Sequence, residues 1–153
     1  MITIKQETLN EETISRLIEL SQEWVDEDSC FGMVTNSKDD LKEPLFLARL
    51  DNHIIGYVFG HFYVTEKKTS YIPVGAKCFE VDELFVSKKY RNQGIGKRLF
   101  KALENHVKDD CLYITLATSN KDYVKVLNFY QNLVGMTFHS AFLIKDTKEK
   151  DGE

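Results

Sequence analysis

Leu84-Phe85-Val86-Ser87-Lys88-Lys89-Tyr90-Arg91-Asn92-Gln93-Gly94-Ile95-Gly96-Lys97 is the stretch on which the reading of this chain turns. An apolar, β-branched run ends at Val86 and a basic turn follows. Two glycines then bracket Ile95 just before a stripe of apolar residues at helical spacing, Ile95, Leu99, Phe100, Leu103 and Val107. The pattern predicts strand, loop, helix. That layout aims unpaired backbone N–H groups and the positive end of a helix dipole at one small volume. Such a volume suits an anion, most often a phosphate or pyrophosphate.

Three glycine loops compete for the pattern. A dinucleotide fingerprint needs a third glycine where Leu99 stands. A P-loop needs Ser or Thr after Gly96-Lys97, where the chain has Arg98, and a glycine where it has Arg91. What remains is Arg91-x-x-Gly94-x-Gly96, and with it the chain resembles the GCN5-related N-acetyltransferase superfamily. In that family the amides of this loop hold the pyrophosphate of acetyl-coenzyme A. The resemblance therefore implies cofactor contacts from Arg91, Asn92, Gln93, Gly94, Ile95, Gly96 and Lys97. The plainer alternative is a loop whose glycines only turn the chain.

Size and composition narrow the classes. With 153 residues the chain is expected to be one domain over 1–146 with a charged, disordered tail at 147–153. Its 42% hydrophobic and 29% charged residues fit a globular protein. A net charge of −4 argues against a nucleic-acid partner, which would call for a basic surface. Lys88, Lys89, Arg91, Lys97, Arg98 and Lys101 nevertheless form a local basic patch where a helix dipole favours anions, which makes sense if a polyanion sits among them. No signal-peptide core or membrane-length run is present, so no membrane role is expected. Cys30, Cys78 and Cys111 are scattered, odd in number and without metal spacing, and point to a reduced, cytoplasmic protein. The four histidines are equally dispersed, so neither a metal site nor a histidine catalyst is expected.

Along the chain, Ile2–Glu7 alternates like a half-buried strand, and Asn10 caps a helix carrying Ile14, Leu17, Ile18, Ser21, Trp24 and Val25 on one face. Asp26-Glu27-Asp28 falls where a helix end prefers cations; it reads as a solvated loop or as a wall for a cationic substrate. Residues 35–44 predict a short helix and loop. Residues 45–50 and 54–64 predict two strands joined at Asp51-Asn52, with Gly56 and Gly60 marking a bulge or a close approach. The long stretch 66–77 is a candidate substrate-side loop. After the strand at 78–86 and the glycine-loop helix, the apolar run 111–118 predicts a central strand. A helix over 123–134, capped by Ser119 or Asn120, and two last strands at 136–139 and 141–145 complete the order. The result is an α/β fold, a mixed, mostly antiparallel sheet of about seven strands with helices on both faces, the arrangement the resemblance also implies.

Acyl transfer to an amine meets a definite obstacle. An alkylammonium has a pKa of about 10.4, so its deprotonation at pH 7 costs about 4.6 kcal/mol. A carboxylate in reach can take the proton. Period-two alternation puts Glu80, Asp82, Leu84 and Val86 on one side of their strand and Val81, Glu83 and Phe85 on the other. The resemblance places the general base on this strand, with Glu80 first and Asp82 sharing the task or binding a substrate cation. It also implies that the backbone of Leu84, Phe85 and Val86 pairs with the pantetheine arm. Tyr130 is implied as the acid for the leaving thiolate and Asn120 as a cofactor contact. Here the family pattern is imperfect, since the interval from Asn120 to Tyr130 is long and Met136 stands where Phe is usual.

The sequence reading is an acetyl-coenzyme A-dependent N-acetyltransferase acting on a primary amine, with no metal. The alternative is a non-catalytic acyl-coenzyme A sensor or interaction module on the same fold. Family members often form homodimers through late strands, and the sequence leaves the oligomeric state open.

Overall fold

The computed structural model describes residues 1–69 and 71–148. Its elements are β1 (Ile2–Glu7), α1 (Glu11–Glu27), β2 (Leu45–Leu50), β3 (His53–Val64), β4 (Lys77–Val86), α2 (Ile95–Val107), β5 (Tyr113–Thr115) and α3 (Tyr123–Asn128), the last continued by a π-turn at Phe129–Leu133. The strands lie in the order β1-β2-β3-β4-β5. Each neighbouring pair among the first four is antiparallel, and β5 joins β4 in parallel after the α2 crossover.

Each face of the sheet carries a core. On one, Phe46, Ile55, Val58, Phe79 and Val81 pack under the predicted α2 stripe of Ile95, Leu99, Phe100, Leu103 and Val107. On the other, Leu17 and Leu20 of α1 cover Leu45, Leu47, Ile54, Tyr57, Phe59 and Phe85. Helix α1 starts at the Asn10 cap, where Asn10 and Thr13 each bond the other's backbone N–H.

Two register shifts bend the sheet. Ala48 faces Gly56 while Arg49 faces Ile54, so Ile55 is the extra residue of β3. Phe59 faces Glu83 while Gly60 faces Val81, which leaves Asp82 as the extra residue of β4. The two strand glycines thus mark bulges as predicted. Gly60 is also a close approach, since a Cβ there would stand 2.0 Å from the carbonyl oxygen of Glu80.

The end of the chain departs from expectation. Among the described residues five strands form rather than about seven. The run 111–118 supplies only Tyr113–Thr115, at an edge rather than the centre, and the strands expected at 136–139 and 141–145 are irregular. Phe142, Leu143 and Ile144 are 80–91% exposed. Alternation marks a segment that can be a strand, but its backbone groups need a partner edge, and β5 offers only three residues. Helix α3 is capped by Asp122, whose carboxylate accepts from the N–H of Lys125, rather than by Ser119 or Asn120. Of the tail, 149–153 lie outside the described residues.

Candidate active site

The glycine loop leads from β4 into α2 through a 3-10 turn at Lys88–Tyr90. Asn92 (φ +63°) and Gly94 (φ +78°) take the left-handed conformation, and Gly94 is the α2 N-cap. Arg91 N–H is already bonded to the carbonyl of Lys88, and the first helical bond runs from Arg98 N–H to the carbonyl of Gly94. Among the described residues no acceptor meets the N–H groups of Asn92, Gln93, Gly94, Ile95, Gly96 or Lys97. These are the donors an anion would find, with the positive end of α2 behind them.

Arg91 has a different place from the one its motif position implies. Its Nε donates to the carbonyl of Val86 (2.8 Å), its guanidinium lies 5.2 Å from the Phe85 ring centroid, and a terminal nitrogen pairs with Glu27 of α1. It clamps the loop to α1 and does not reach into it. The acidic end of α1 is thereby explained, because Glu27 holds Arg91 and Asp28 pairs with Lys121 (2.9 Å). In the basic patch Lys101 pairs with Glu104 and Arg98 donates to the carbonyl of Ile2. Lys88, Lys89 and Lys97 make no ion pair among the described residues.

Beside the loop, the sheet opens. Among the described residues β4 pairs with β5 only at Cys78, Phe79 and Glu80, and beyond Glu80 its outer edge carries no strand. Leu84, Phe85 and Val86 lie on that open stretch, running from the acidic positions toward the loop over roughly 20 Å at about 3.3 Å per residue. An extended ligand arm has an unoccupied edge to follow.

The bulge at Asp82 overturns simple alternation along β4. Leu84 and Val86 pack on the α2 side and Phe85 on the α1 side, stacked on Trp24 at 5.1 Å. Glu83 follows Phe85. Its two oxygens accept from Asn36 Nδ2 at 2.9 and 2.8 Å, and one accepts from the Tyr57 hydroxyl at 3.0 Å. Glu80, Asp82 and Glu83 therefore share the α1 side of the sheet, where alternation had sent Glu83 away. Burial pushes the Glu83 pKa up, its hydrogen bonds from Asn36 and Tyr57 oppose this, and the charges of Asp40 and Asp82 add to it. Burial also raises Tyr57 well above the ordinary tyrosine value, with Glu83 contributing. Glu83 is the acid that the sequence reading missed. Gly60 was the available signal, since an extra residue opposite it reverses the parity of everything after it.

Asp82 accepts from Lys42 Nζ at 3.3 Å and lies 2.8 Å from His61 Nδ1. Glu80 Oε2 lies 3.4 Å from His61 Nε2. His61 is the residue opposite Glu80 in the β3–β4 register. The sequence reading expected no histidine at the site, yet this one sits between the two predicted acids.

Tyr130, on the π-turn, packs edge-on against Phe129 at 5.0 Å and Phe100 at 6.4 Å. Phe129 in turn lies 3.4 Å from where a Cβ on Gly96 would be, so this segment abuts the glycine loop. Burial, with a smaller contribution from Cys30, pushes the Tyr130 pKa up to about 12. Asn120 spends its side-chain oxygen on the N–H of Asp122 (2.8 Å), and its backbone bridges Cys30, so it stands in a local turn. The structure brings the loop, the open β4 edge and the Tyr130 segment together, with Glu80 and Asp82 farther along β4. Asn120 is committed elsewhere.

The free N–H groups thus stand at the end of a strand whose outer edge, beyond Glu80, is unpaired among the described residues. The sequence profile of the Acetyltransferase (GNAT) family matches residues 7–136. The chain belongs to the GNAT family. Members of that family are N-acetyltransferases that use acetyl-coenzyme A, and this chain is an enzyme of that class. Solved GNAT structures share its fold at low identity. An aminoglycoside acetyltransferase from an uncultured soil metagenomic sample, in complex with trehalose, is 21% identical with TM-score 0.66, covering 97% of each chain. Glucosamine-6-phosphate N-acetyltransferase from Arabidopsis thaliana is 18% identical with TM-score 0.66, covering 97% of this chain and 99% of its own. AAC(6')-Iy, in complex with the bisubstrate analog CoA-S-monomethyl-acetylneamine, is 16% identical with TM-score 0.65, with coverage of 97% and 99%.

Proposed function

We propose that this GNAT protein transfers an acetyl group from acetyl-coenzyme A to a primary amine of a small molecule or peptide, by direct attack within a ternary complex. The observation that carries this reading is the set of unbonded N–H groups at 92–97, placed where the open edge of β4 ends. Those amides hold the diphosphate, with Lys88, Lys89 and Lys97 near it. The edge of Leu84, Phe85 and Val86 aligns the pantetheine arm and brings the thioester toward Glu80. Glu80, whose side chain is 42% exposed and has no lysine or arginine partner among the described residues, removes a proton from the ammonium, so that the neutral amine attacks the carbonyl. Asp82, already engaged by Lys42, holds charge at the acceptor end. Tyr130 donates to the sulfur as the tetrahedral intermediate collapses.

The acceptor is inferred to be cationic because Glu80, open to solvent, lies beside the half-buried Asp82 on the α1 side. At the α1 end Glu27 and Asp28 are already paired with Arg91 and Lys121, and Asp26 accepts from Gln22. The names of structural relatives, among them an aminoglycoside acetyltransferase and a glucosamine-6-phosphate N-acetyltransferase, supply the first acceptors to screen.

The alternative on the same fold is a sensor that binds the coenzyme without turnover. Burial that raises the Tyr130 hydroxyl to about 12 makes it a weaker acid for a leaving thiol near 8.5, so the role of Tyr130 is the step most open to test. Calorimetry with acetyl-coenzyme A and a thiol-release screen over amines separate the readings. Binding with turnover supports the enzyme, binding without turnover over a broad amine panel supports the sensor, and no binding at millimolar ligand removes both.

A further inference from the structure

We propose that His61 is a positioning residue for the transfer, holding Glu80 and receiving through it the proton that leaves the amine; this rests on the reading just given. His61 lies directly across the sheet from Glu80. Its Nδ1 is 2.8 Å from Asp82 Oδ2 and its Nε2 is 3.4 Å from Glu80 Oε2, so both ring nitrogens face carboxylates. The bulge produces this arrangement, for Asp82 is the residue without a partner on β3 and its side chain is released to meet the ring. The surrounding charged and titratable groups are few. Glu80 and Asp82 come from β4, Tyr63 lies on the same strand with ring centroids 6.1 Å apart, and Lys42 reaches Asp82 from the segment before β2.

The chemistry follows from the partners. The shorter contact makes Nδ1–H the donor to Asp82, which leaves the Nε2 lone pair pointing at a Glu80 oxygen. Two acceptors face each other across 3.4 Å, and one proton between them relieves the repulsion. When Glu80 takes a proton from the substrate ammonium, the N–H bond breaks, its electron pair stays on nitrogen for the attack, and an O–H bond forms on Glu80. Passage of that proton to Nε2 restores the Glu80 carboxylate and leaves an imidazolium between two carboxylates, with Lys42 balancing the charge. The His61 side chain is 35% exposed, so the proton then leaves to water. Over the cycle the ammonium gives up two protons, one ending on the coenzyme thiol through Tyr130 and one passing to solvent through His61.

A purely structural ion cluster would show different behaviour, which two measurements expose. In the full-length protein with a turning-over amine, His61→Gln should lower kcat about 100-fold while leaving KM for acetyl-coenzyme A within about twofold. It should also flatten the acid limb of the kcat–pH profile. Added to Glu80→Gln, it should cost less than a further twofold, because both act on one proton path. Wild-type kcat in His61→Gln, or effects that multiply in the double variant, overturns the relay. Independently of turnover, two-bond proton–nitrogen NMR should show neutral His61 as the Nδ1–H tautomer, moving toward Nε2–H in Asp82→Asn. An Nε2–H tautomer in the unsubstituted protein, or no change in Asp82→Asn, also overturns it. Absence of thiol release by the unsubstituted protein sinks the transferase reading itself and the relay with it, a result that the NMR measurement cannot mimic.

Discussion

Replacing Gly60 by Ala tests whether the β4 bulge builds the acidic site. A Cβ at this position would stand 2.0 Å from the Glu80 carbonyl oxygen and 2.7 Å from a ring carbon of Phe79. Ordinary carbon–oxygen contact needs about 1.2 Å more than the first of these, roughly a quarter of the normal strand spacing of 4.7–4.9 Å. The obstacle is backbone, so no side-chain rotation relieves it. Separating the strands there weakens about two ladder hydrogen bonds at about 1 kcal/mol each, and overpacking adds another 1–3 kcal/mol. The expected loss is about 3–5 kcal/mol, or roughly 6–20 °C in Tm for a chain of this size. Glu80 would also shift by about 1 Å, enough to lower kcat about 100-fold. Gly56→Ala is the internal control, since its Cβ would stand 2.9 Å from the Phe85 carbonyl oxygen and needs only a few tenths of an ångström. Urea unfolding at constant m-value, with kcat on the same preparations, measures both effects. If Gly60→Ala is no less stable than Gly56→Ala, or keeps wild-type kcat, the bulge does not position Glu80 and the reasoning is wrong.

Three further outcomes are expected. Glu80→Gln should lower kcat by 100-fold or more with little change in acetyl-coenzyme A affinity, as steady-state kinetics and calorimetry would show; equal rates would move the base to another carboxylate, Glu83 first. Tyr130 should be protonated in the native protein through pH 10. Its pKa is raised, so the stability it contributes is complete below the unfolded value near 10 and is lost as pH climbs toward about 12. Ultraviolet titration of Tyr130→Phe should therefore be missing one late-titrating tyrosine, and its kcat should fall with coenzyme affinity unchanged; loss of an early-titrating tyrosine instead contradicts the burial argument. Glu27→Ala should free Arg91 and loosen the loop, raising KM for acetyl-coenzyme A several-fold at a stability cost of about 1–2 kcal/mol, less than for a fully buried pair because Arg91 is about a third exposed. An unchanged KM would mean that the loop keeps its shape without the clamp.

What the sequence could determine by itself was local. Helix α2 was legible because apolar residues at helical spacing can bury only one face, and the glycine loop because few residue types accept the left-handed turn at Gly94. The capping of α1 by Asn10, the turn at Asp51-Asn52 and the bulges at Gly56 and Gly60 were readable for the same reason, being set by neighbours a few positions away. Tertiary structure decided whatever needed a partner from far along the chain. The segment 141–145 is an apolar run that could form a strand but pairs with no edge among the described residues, and the run 111–118 yields an edge strand of three residues. Glu83 changed sides because one residue of slippage reverses parity, and the amount of slippage is fixed only when β3 and β4 meet. His61 and Asp82 are 21 positions apart, as Arg91 and Glu27 are 64 apart, and no periodicity links them. Periodicity records which face of an element is apolar; which side chains come within hydrogen-bonding distance is settled by register between elements, and that exists only in the folded sheet.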